Sequence, residues 1–268
     1  MTQPQPALFI GHGSPMTTIS DNPERRAIEA LGARLPKPEA VLCVTAHWET
    51  SGRTHLTTGP APRTIHDFRG FPQELYEVTY PAAGSAALEQ RIVELLGQDR
   101  VRRDPDWGFD HGVWGVLRPL FPEADVPIVA MSLDRTLTPA AHLEAAAQLA
   151  QLRHEGVMIV ASGNVVHNLA LWRQSAGTQP EWAVRFQQRI NRAVTTGDLA
   201  ALADFDAGHG DAAAAVNSAE HYLPLLYAAG ARLPEDDVAV FNDTINGALS
   251  MTSYLLGNAA LLADELDQ

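Results

Sequence analysis

The residues of this sequence most capable of chemistry are histidines placed at the ends of apolar runs. His12 follows the run ALFI in the turn GHGSP, His47 ends the run AVLCVTAHW, and His167 comes three residues after VMIVASGN. Short apolar runs of this kind, bounded by Gly or Pro, are typical of buried parallel strands. Because the carboxyl ends of parallel strands meet at one crevice of a sheet, we expect the three side chains to lie close together.

Three imidazoles at one crevice indicate a metal site. Imidazole is the commonest metal ligand, and several imidazoles with few cysteines suit Zn or Fe(II). A zinc site would generate hydroxide for hydrolysis, whereas a non-haem Fe(II) site would leave positions for substrate and dioxygen. The sequence has no HExxH, GxSxG, GxxxxGK[ST] or GxGxxG motif, so it predicts a histidine-rich metalloenzyme without choosing between these two chemistries.

Two further histidines with acidic neighbours extend the candidate site. His111 precedes a segment with helical apolar spacing, and the adjacent Asp110 either fixes its tautomer or caps the helix. His221 lies in AEHYLPLLYAAG beside Glu220. Neighbours on a helix point about 100° apart, so we expect only one of these two side chains to face the site.

The other histidines and the single cysteine lie in ordinary contexts. His55, His142 and His154 have polar or helix-face surroundings and are predicted to be solvated, while His209 is predicted to lie in a loop. Cys43 lies in a strand-like run and is predicted to be a buried apolar side chain.

Strand-like and helix-like segments alternate along the chain, which predicts an α/β fold: a single domain over residues 1–268 with a mostly parallel central sheet flanked by helices, and the metal site at the carboxyl ends of the strands. An antiparallel edge is expected where Asn246 and Gly247 join residues 236–245 to 248–256, since Asn-Gly favours a hairpin. The predicted strands are residues 7–10, 40–48, 126–133 and 157–164, and the predicted helices are 22–35, 84–98, 138–152 and 180–198.

The charge and the hydropathy pattern limit the partners. A net charge of −13 over 268 residues argues against nucleic acid or an anionic membrane as a partner. No apolar stretch approaches the ~20 residues of a membrane span, and no signal-peptide pattern opens the chain, so we expect a cytoplasmic protein. The sequence is compatible with a homo-oligomer.

Six segments in order resemble the class III extradiol ring-cleavage dioxygenases, in particular the 4,5-DOPA extradiol dioxygenase branch. The similarity runs from about residue 8 to about residue 256. The segments are FIGHGSPM, VTAHWE, HDFRGFPQELYEVTYPAAGS, WGFDHGVWGVLRPLFPEADVPIVAMSL, ASGNVVHNL and AEHYLPLLYA.

This resemblance implies oxidative opening of a catechol ring beside its two hydroxyls, with both atoms of O2 entering the product. It implies that His12, His47 and His221 bind one divalent metal, with His167 as a fourth ligand or as an acid/base and His111 holding the substrate. Much of the superfamily uses a carboxylate where this sequence has His221. Ring cleavage needs Fe(II), but a site of three or four histidines also binds Zn(II) readily.

A loop rich in aromatic residues supplies the predicted substrate-binding residues His66, Phe68 and Arg69. Phe68 and Phe71 are expected to cover the catechol ring, and Arg69 to meet a substrate carboxylate. Two alternatives remain: a zinc-dependent hydrolase on the same histidines, and a non-catalytic binding protein of the superfamily. The presence of His111 and His167 disfavours the binding protein, which needs no proton shuttle.

Overall fold

A central sheet of eight strands organises the molecule, here a computed structural model that describes residues 3–206 and 210–262. The strand order is β4-β3-β5-β2-β6-β1-β10-β7, and β8 and β9 form a separate two-stranded sheet. The ten strands are β1 (Ala7–Gly11), β2 (Ala40–Thr50), β3 (Thr54–Thr57), β4 (Val101–Asp104), β5 (Ile128–Asp134), β6 (Val157–Gly163), β7 (Asp237–Phe241), β8 (Ile245–Asn246), β9 (Leu249–Ser250) and β10 (Ser253–Gly257).

The middle of the sheet is parallel and its edges are partly antiparallel. Strands β5, β2, β6 and β1 pair parallel in that order, and β3 pairs parallel with β4. The antiparallel pairs are β3 with β5, β1 with β10, and β10 with β7. This arrangement confirms the predicted α/β domain with a mostly parallel sheet; the predicted domain bounds of 1–268 stay a prediction.

Helices connect the strands, and the four helices predicted from the sequence are present. The first begins at Pro23, where the Asn22 side chain accepts a hydrogen bond from the Arg25 amide at 2.8 Å. The α-helices are α1 (Pro23–Arg34), α2 (Gln73–Tyr76), α3 (Ala86–Leu96), α4 (His111–Leu120), α5 (Pro139–Leu149), α6 (Gln151–His154), α7 (Leu169–Ser175), α8 (Glu181–Thr196), α9 (Leu199–Ala203), α10 (Gly210–Ala215) and α11 (Leu223–Gly230). Among the described residues, 3-10 helices span Pro15–Thr18, Ala219–His221 and Ala259–Leu262.

Apolar side chains fill both faces of the sheet. Along β2, Leu42 and Val44 enter one apolar cluster, while Val41 and Cys43 enter the other. Successive side chains of a strand point to opposite faces, so a continuous apolar run buries both. Cys43 is fully buried, as predicted.

The antiparallel edge forms where it was predicted, with its turn displaced by one residue. Asn246 pairs with Leu249, so the turn is residues 247–248 rather than Asn246 and Gly247. Gly247 has φ +61°, and a Cβ there would lie 2.7 Å from the Ser175 carbonyl oxygen at the end of α7. The left-handed backbone and this close approach both favour glycine at position 247.

Two of the histidines predicted to be solvated are not. His142 on α5 is fully buried and its Nδ1 is 2.9 Å from the Tyr227 hydroxyl of α11. The His55 side chain is 16% exposed, and its Nδ1 pairs with Asp104 Oδ2 at 3.0 Å. Packing against other elements, which local polarity does not reveal, buries them. His154 is exposed as predicted, and His209 lies outside the described residues.

In the ranges 3–206 and 210–262, no helix is long and apolar enough to cross a membrane. Cytoplasmic localisation stays a prediction from the sequence.

The burial of His142 predicts a dependence of stability on pH. Burial lowers the pKa of His142 from 6.5 to about 4, and its Nε2 has no hydrogen-bond partner within the described chain. Between these two pH values the unfolded chain binds the proton and the folded chain does not. The stability contributed by neutral His142 is therefore complete above pH 6.5 and declines as the pH falls to 4, by about 3 kcal/mol in total.

Replacing the ring tests this prediction. In His142→Asn, we expect the free energy of unfolding to fall less steeply between pH 6.5 and pH 4 than in the wild type, as measured by urea denaturation at matched metal content. The control is His154→Asn, which replaces an exposed histidine and should leave the slope unchanged. Equal slopes for His142→Asn and the wild type would contradict the prediction.

Candidate metal centre and its cavity

Three histidines from separate elements converge at one edge of the sheet. His12 follows β1, and His221 ends the 3-10 helix that precedes α11. Their ring centroids lie 4.9 Å (His12–His47), 5.3 Å (His12–His221) and 5.1 Å (His47–His221) apart. One nitrogen from each ring lies within 4.8 Å of the other two.

His47 reaches this centre from within a strand rather than from its end. Strand β2 continues to Thr50, but its register with β5 shifts between Val44 and Glu49. The irregularity surrounds His47, and such shifts reorient the side chains of the affected residues. The sequence run that predicted a strand end at this point therefore missed the last part of β2.

The outer nitrogen of each ring contacts an oxygen. Nδ1 of His12 is 3.0 Å from Ser162 Oγ, Nδ1 of His47 is 3.2 Å from Asp67 Oδ2, and Nδ1 of His221 is 3.1 Å from Glu220 Oε1. An acceptor at Nδ1 fixes the tautomer that carries its proton there and leaves the Nε2 lone pair for the centre.

The inner nitrogens fit a divalent cation. Nε2 of His12 and Nε2 of His47 are 3.1 Å apart. Two nitrogens bound to one tetrahedral ion at 2.0–2.1 Å lie about 3.3 Å apart. With both Nδ1 atoms protonated, the two Nε2 lone pairs face each other, an arrangement that a shared cation stabilises. The donor set is thus suited to a metal such as Zn or Fe(II).

Burial keeps the imidazoles of His12 and His221 in the form that binds a metal. Burial lowers the pKa of His12 and of His221 well below the usual value, and the neighbouring histidines lower both further. Because only the neutral imidazole binds a metal, the low pKa values favour metal binding at neutral pH.

Asp67 connects the centre to His111. Its Oδ2 accepts from His111 Nδ1 at 2.8 Å as well as from His47, and its Oδ1 accepts from the His111 amide at 2.9 Å. Burial alone would raise the pKa of Asp67, but the hydrogen bonds from His111 and His47 outweigh it, so the pKa lies well below the ordinary value. Asp67 is therefore ionised and holds both rings.

The hypothesis that Asp110 fixes the tautomer of His111 is wrong, and the alternative, a helix cap, is correct. Asp110 Oδ1 accepts from the Val113 amide at 3.2 Å at the start of α4 and from Thr45 Oγ1 at 2.7 Å. Sequence reasoning missed Asp67, 44 residues before His111. The only local signal was its place in the aromatic loop, next to His66.

As expected, only one of the neighbours Glu220 and His221 faces the site: His221 lines the cavity and groups with His12 and His47, whereas Glu220 does neither. The short 3-10 helix lets the Glu220 carboxylate fold back onto Nδ1 of His221. The two residues therefore act together: His221 points to the centre and Glu220 supports it.

His167 lies beside this set. Its ring stacks on the His221 ring with centroids 3.5 Å apart and planes 6° apart. It forms a close group of donor atoms with His221 and Glu220, whereas the group at the centre contains His12, His47 and His221. Burial, above all, lowers the pKa of His167 to about 4.

A cavity of about 420 Å³ opens over the histidines. Of the predicted substrate-binding residues, Phe68 lines it, while Arg69 is exposed outside it and His66 donates from Nε2 to the Val78 carbonyl oxygen at 2.9 Å. The part of the wall formed by α7 and Leu249 was not predicted from the sequence. The lining residues are His12, Gly13, Ser14, Pro15, His47, Phe68, Phe71, His111, His167, Leu169, Trp172, Arg173, His221 and Leu249.

Comparison with known proteins identifies relatives over nearly the whole chain. The chain is 45% identical over 262 residues to "4,5-DOPA dioxygenase extradiol" of Escherichia coli K12, with 94% of each chain covered. It is 34% identical to the protein of the same name from Beta vulgaris, covering 92% of this chain and 94% of the relative.

A solved structure and a family model agree with these relatives. The crystal structure of an uncharacterized protein from Escherichia coli K12 superposes with a TM-score of 0.80 at 41% identity, covering 94% of this chain and 100% of the other. Residues 6–253 match the model of the catalytic LigB subunit of aromatic ring-opening dioxygenase. The chain belongs to this LigB family, the class III extradiol dioxygenases.

Proposed function

We propose that this protein is a metal-dependent extradiol dioxygenase that uses O2 to open the ring of a catechol with a DOPA-like side chain. The observation that carries the proposal is the convergence of three imidazoles, with His111 and His167 beside them, at the floor of a cavity that also has aromatic walls. Relatives named 4,5-DOPA dioxygenase extradiol support the substrate class.

In this proposal His12, His47 and His221 hold one divalent ion through Nε2, and Fe(II) is the ion that supports ring cleavage. When bound, the metal lowers the pKa values of the catechol hydroxyls and brings catechol and O2 together. Three neutral nitrogen donors also suit Zn(II), so zinc can occupy the same residues without supporting oxygen chemistry.

The aromatic loop positions the substrate ring. Phe68 lies edge-on to Phe71 and to His111, with ring centroids 5.2 Å and 5.7 Å apart. Both phenylalanines line the cavity. Flat apolar surfaces at this point orient a planar ring and exclude water from the reacting edge.

His167 and His111 handle the catechol protons. His167 is neutral at pH 7, because burial lowers its pKa to about 4, so one of its ring nitrogens can accept a hydroxyl proton and later return it. His111 donates from Nδ1 to Asp67, which leaves Nε2 as an acceptor for a substrate hydroxyl.

The metal assignment predicts iron-dependent turnover. We expect metal-free protein reconstituted anaerobically with Fe(II) to consume O2 and form a yellow ring-opened product from L-DOPA when air is admitted. Protein loaded with Zn(II) serves as the control and should be inactive. Tight zinc binding together with no product from a panel of catechols on iron would refute the proposal and favour a zinc hydrolase or a binding protein.

Asp67 is expected to raise metal affinity by holding His47. In Asp67→Asn the ring loses its charged acceptor, and we expect the dissociation constant for the metal to rise by about 10–100-fold, measured by anaerobic competition with a chelator. Asp104→Asn is a matched control, because Asp104 makes the same carboxylate contact at 3.0 Å to His55, a histidine that, unlike His47, neither lines the cavity nor belongs to the metal centre. An unchanged metal affinity in Asp67→Asn would contradict this role.

His167 is expected to act on protons and not to bind the metal. We expect His167→Asn to lower kcat for L-DOPA by about 100-fold or more while one metal ion per chain is retained, as measured by elemental analysis. His154→Asn, at an exposed position, should change neither quantity. Loss of the metal in His167→Asn would instead identify His167 as a fourth ligand.

A further inference from the structure

Helix α7 forms one wall of the cavity with three side chains on one face. Leu169, Trp172 and Arg173 all line the cavity, at spacings of three and four residues. Residues at this spacing share one face of a helix. No residue of α7 is buried in the core. This face of the helix therefore lines the cavity and does not pack against the core of the domain.

Arg173 is the one Lys, Arg, Asp or Glu among the described lining residues. It has no hydrogen bond or salt bridge to any part of the chain that the structure describes, whereas arginines such as Arg153 and Arg185 have carboxylate partners. A guanidinium group facing a largely apolar cavity without a protein partner is suited to an anionic group of a ligand.

Helix α7, which carries Arg173, is held by hydrogen bonds at both ends. At the start, the Asn168 side chain accepts from the Leu171 amide at 3.1 Å. At the end, Asn246 Oδ1 accepts from the Gly177 amide at 2.6 Å, and the Gly247 amide donates to the Thr178 carbonyl at 2.7 Å. The hairpin of β8 and β9 thus anchors the helix, and Arg173 extends from a supported backbone.

We infer that Arg173 binds the side-chain carboxylate of the catechol substrate and so selects carboxylated catechols; this inference rests on the proposed function. The planar guanidinium group matches a carboxylate with two parallel hydrogen bonds. A net charge of −13 gives the protein a field that disfavours anions, so an anionic substrate needs a local cation in addition to the metal. Binding energy gained at this distant group orients the ring over the histidines.

This assignment differs from the expectation from sequence, which gave the role to Arg69. Both arginines are exposed, but Arg173 lines the cavity and Arg69 does not. The two arginines can therefore be tested against each other in the same assay.

The test compares three ligands that share a catechol ring. L-DOPA carries a carboxylate and an ammonium group, dihydrocaffeate carries only the carboxylate, and dopamine carries only the ammonium group. Dissociation constants are measured by anaerobic calorimetry on the metal-loaded protein, which needs no turnover, and kcat and KM are measured separately by oxygen uptake.

In Arg173→Gln we expect Kd and KM for L-DOPA and dihydrocaffeate to rise by about 10–100-fold, the range for a hydrogen bond to a charged group, while dopamine is unaffected. Arg173→Lys should recover part of the loss. Gln174→Ala, at the neighbouring exposed position of α7, should leave all three ligands unchanged and controls for damage to the helix.

Three results would overturn the inference: an equal effect of Arg173→Gln on dopamine and L-DOPA, no effect on any ligand, or a carboxylate-specific loss in Arg69→Gln instead. Wild-type protein that binds L-DOPA no more tightly than dopamine would also overturn it. If the carboxylate-dependent binding is present but no ligand is turned over with Fe(II), the proposed function fails and the inference about Arg173 stands.

Discussion

The structure of the site depends on a set of imidazoles that are buried together and must stay neutral. Burial lowers the pKa of His12, His111 and His221, and the proximity of the rings adds to the effect, since a proton on one disfavours a proton on another. Neutral rings with their Nδ1 protons directed outward present lone pairs to a common point. Such a set is unfavourable by itself and is stabilised by a cation.

The parallel sheet fixes the backbone positions from which these histidines converge. At the ends of β1 and β6, the His12 amide donates to the Gly163 carbonyl at 3.1 Å, and the Asn164 amide donates to the His221 carbonyl at 2.8 Å. A Cβ at position 163 would lie 2.2 Å from the His221 carbonyl oxygen. Only glycine allows this approach, so the strand end itself fixes the backbone of two of the three histidines.

The α/β scaffold and the convergence of histidines could be predicted from the sequence, because both follow from local periodicity and from the geometry of parallel strands. The hydrogen-bond partners of those histidines could not be predicted. Asp67 and Ser162 lie far along the chain from His111 and His12, and apart from the place of Asp67 in the aromatic loop nothing in their neighbourhoods indicates the contact. The same holds for His142, whose burial comes from the packing of α5 against α11.

The structure also differs from the sequence-based predictions in its loops and short helices. Arg69 lies in the aromatic loop and Arg173 on α7, and only the path of the chain decides which one borders the cavity. Glu220 and His221 occupy a 3-10 turn, and α-helical angles did not predict that the Glu220 carboxylate contacts Nδ1 of His221. Strand and helix periodicities predict well which way a side chain points, whereas the geometry of a short turn is set by its tertiary contacts.

Asp67 joins two functions of the site in one carboxylate. Its Oδ2 accepts from both His47 and His111, to which we assign metal binding and substrate binding respectively. A proton gained by His111 would strengthen its hydrogen bond to the shared oxygen and weaken the hydrogen bond of that oxygen to His47, so the two histidines are electrostatically coupled.

Helix α7, by contrast, places no residue in the core, so its cavity-facing side chains can be changed with little effect on this network or on the sheet. The fold thus separates the coupled centre to which we assign the chemistry from the wall that we propose selects the substrate.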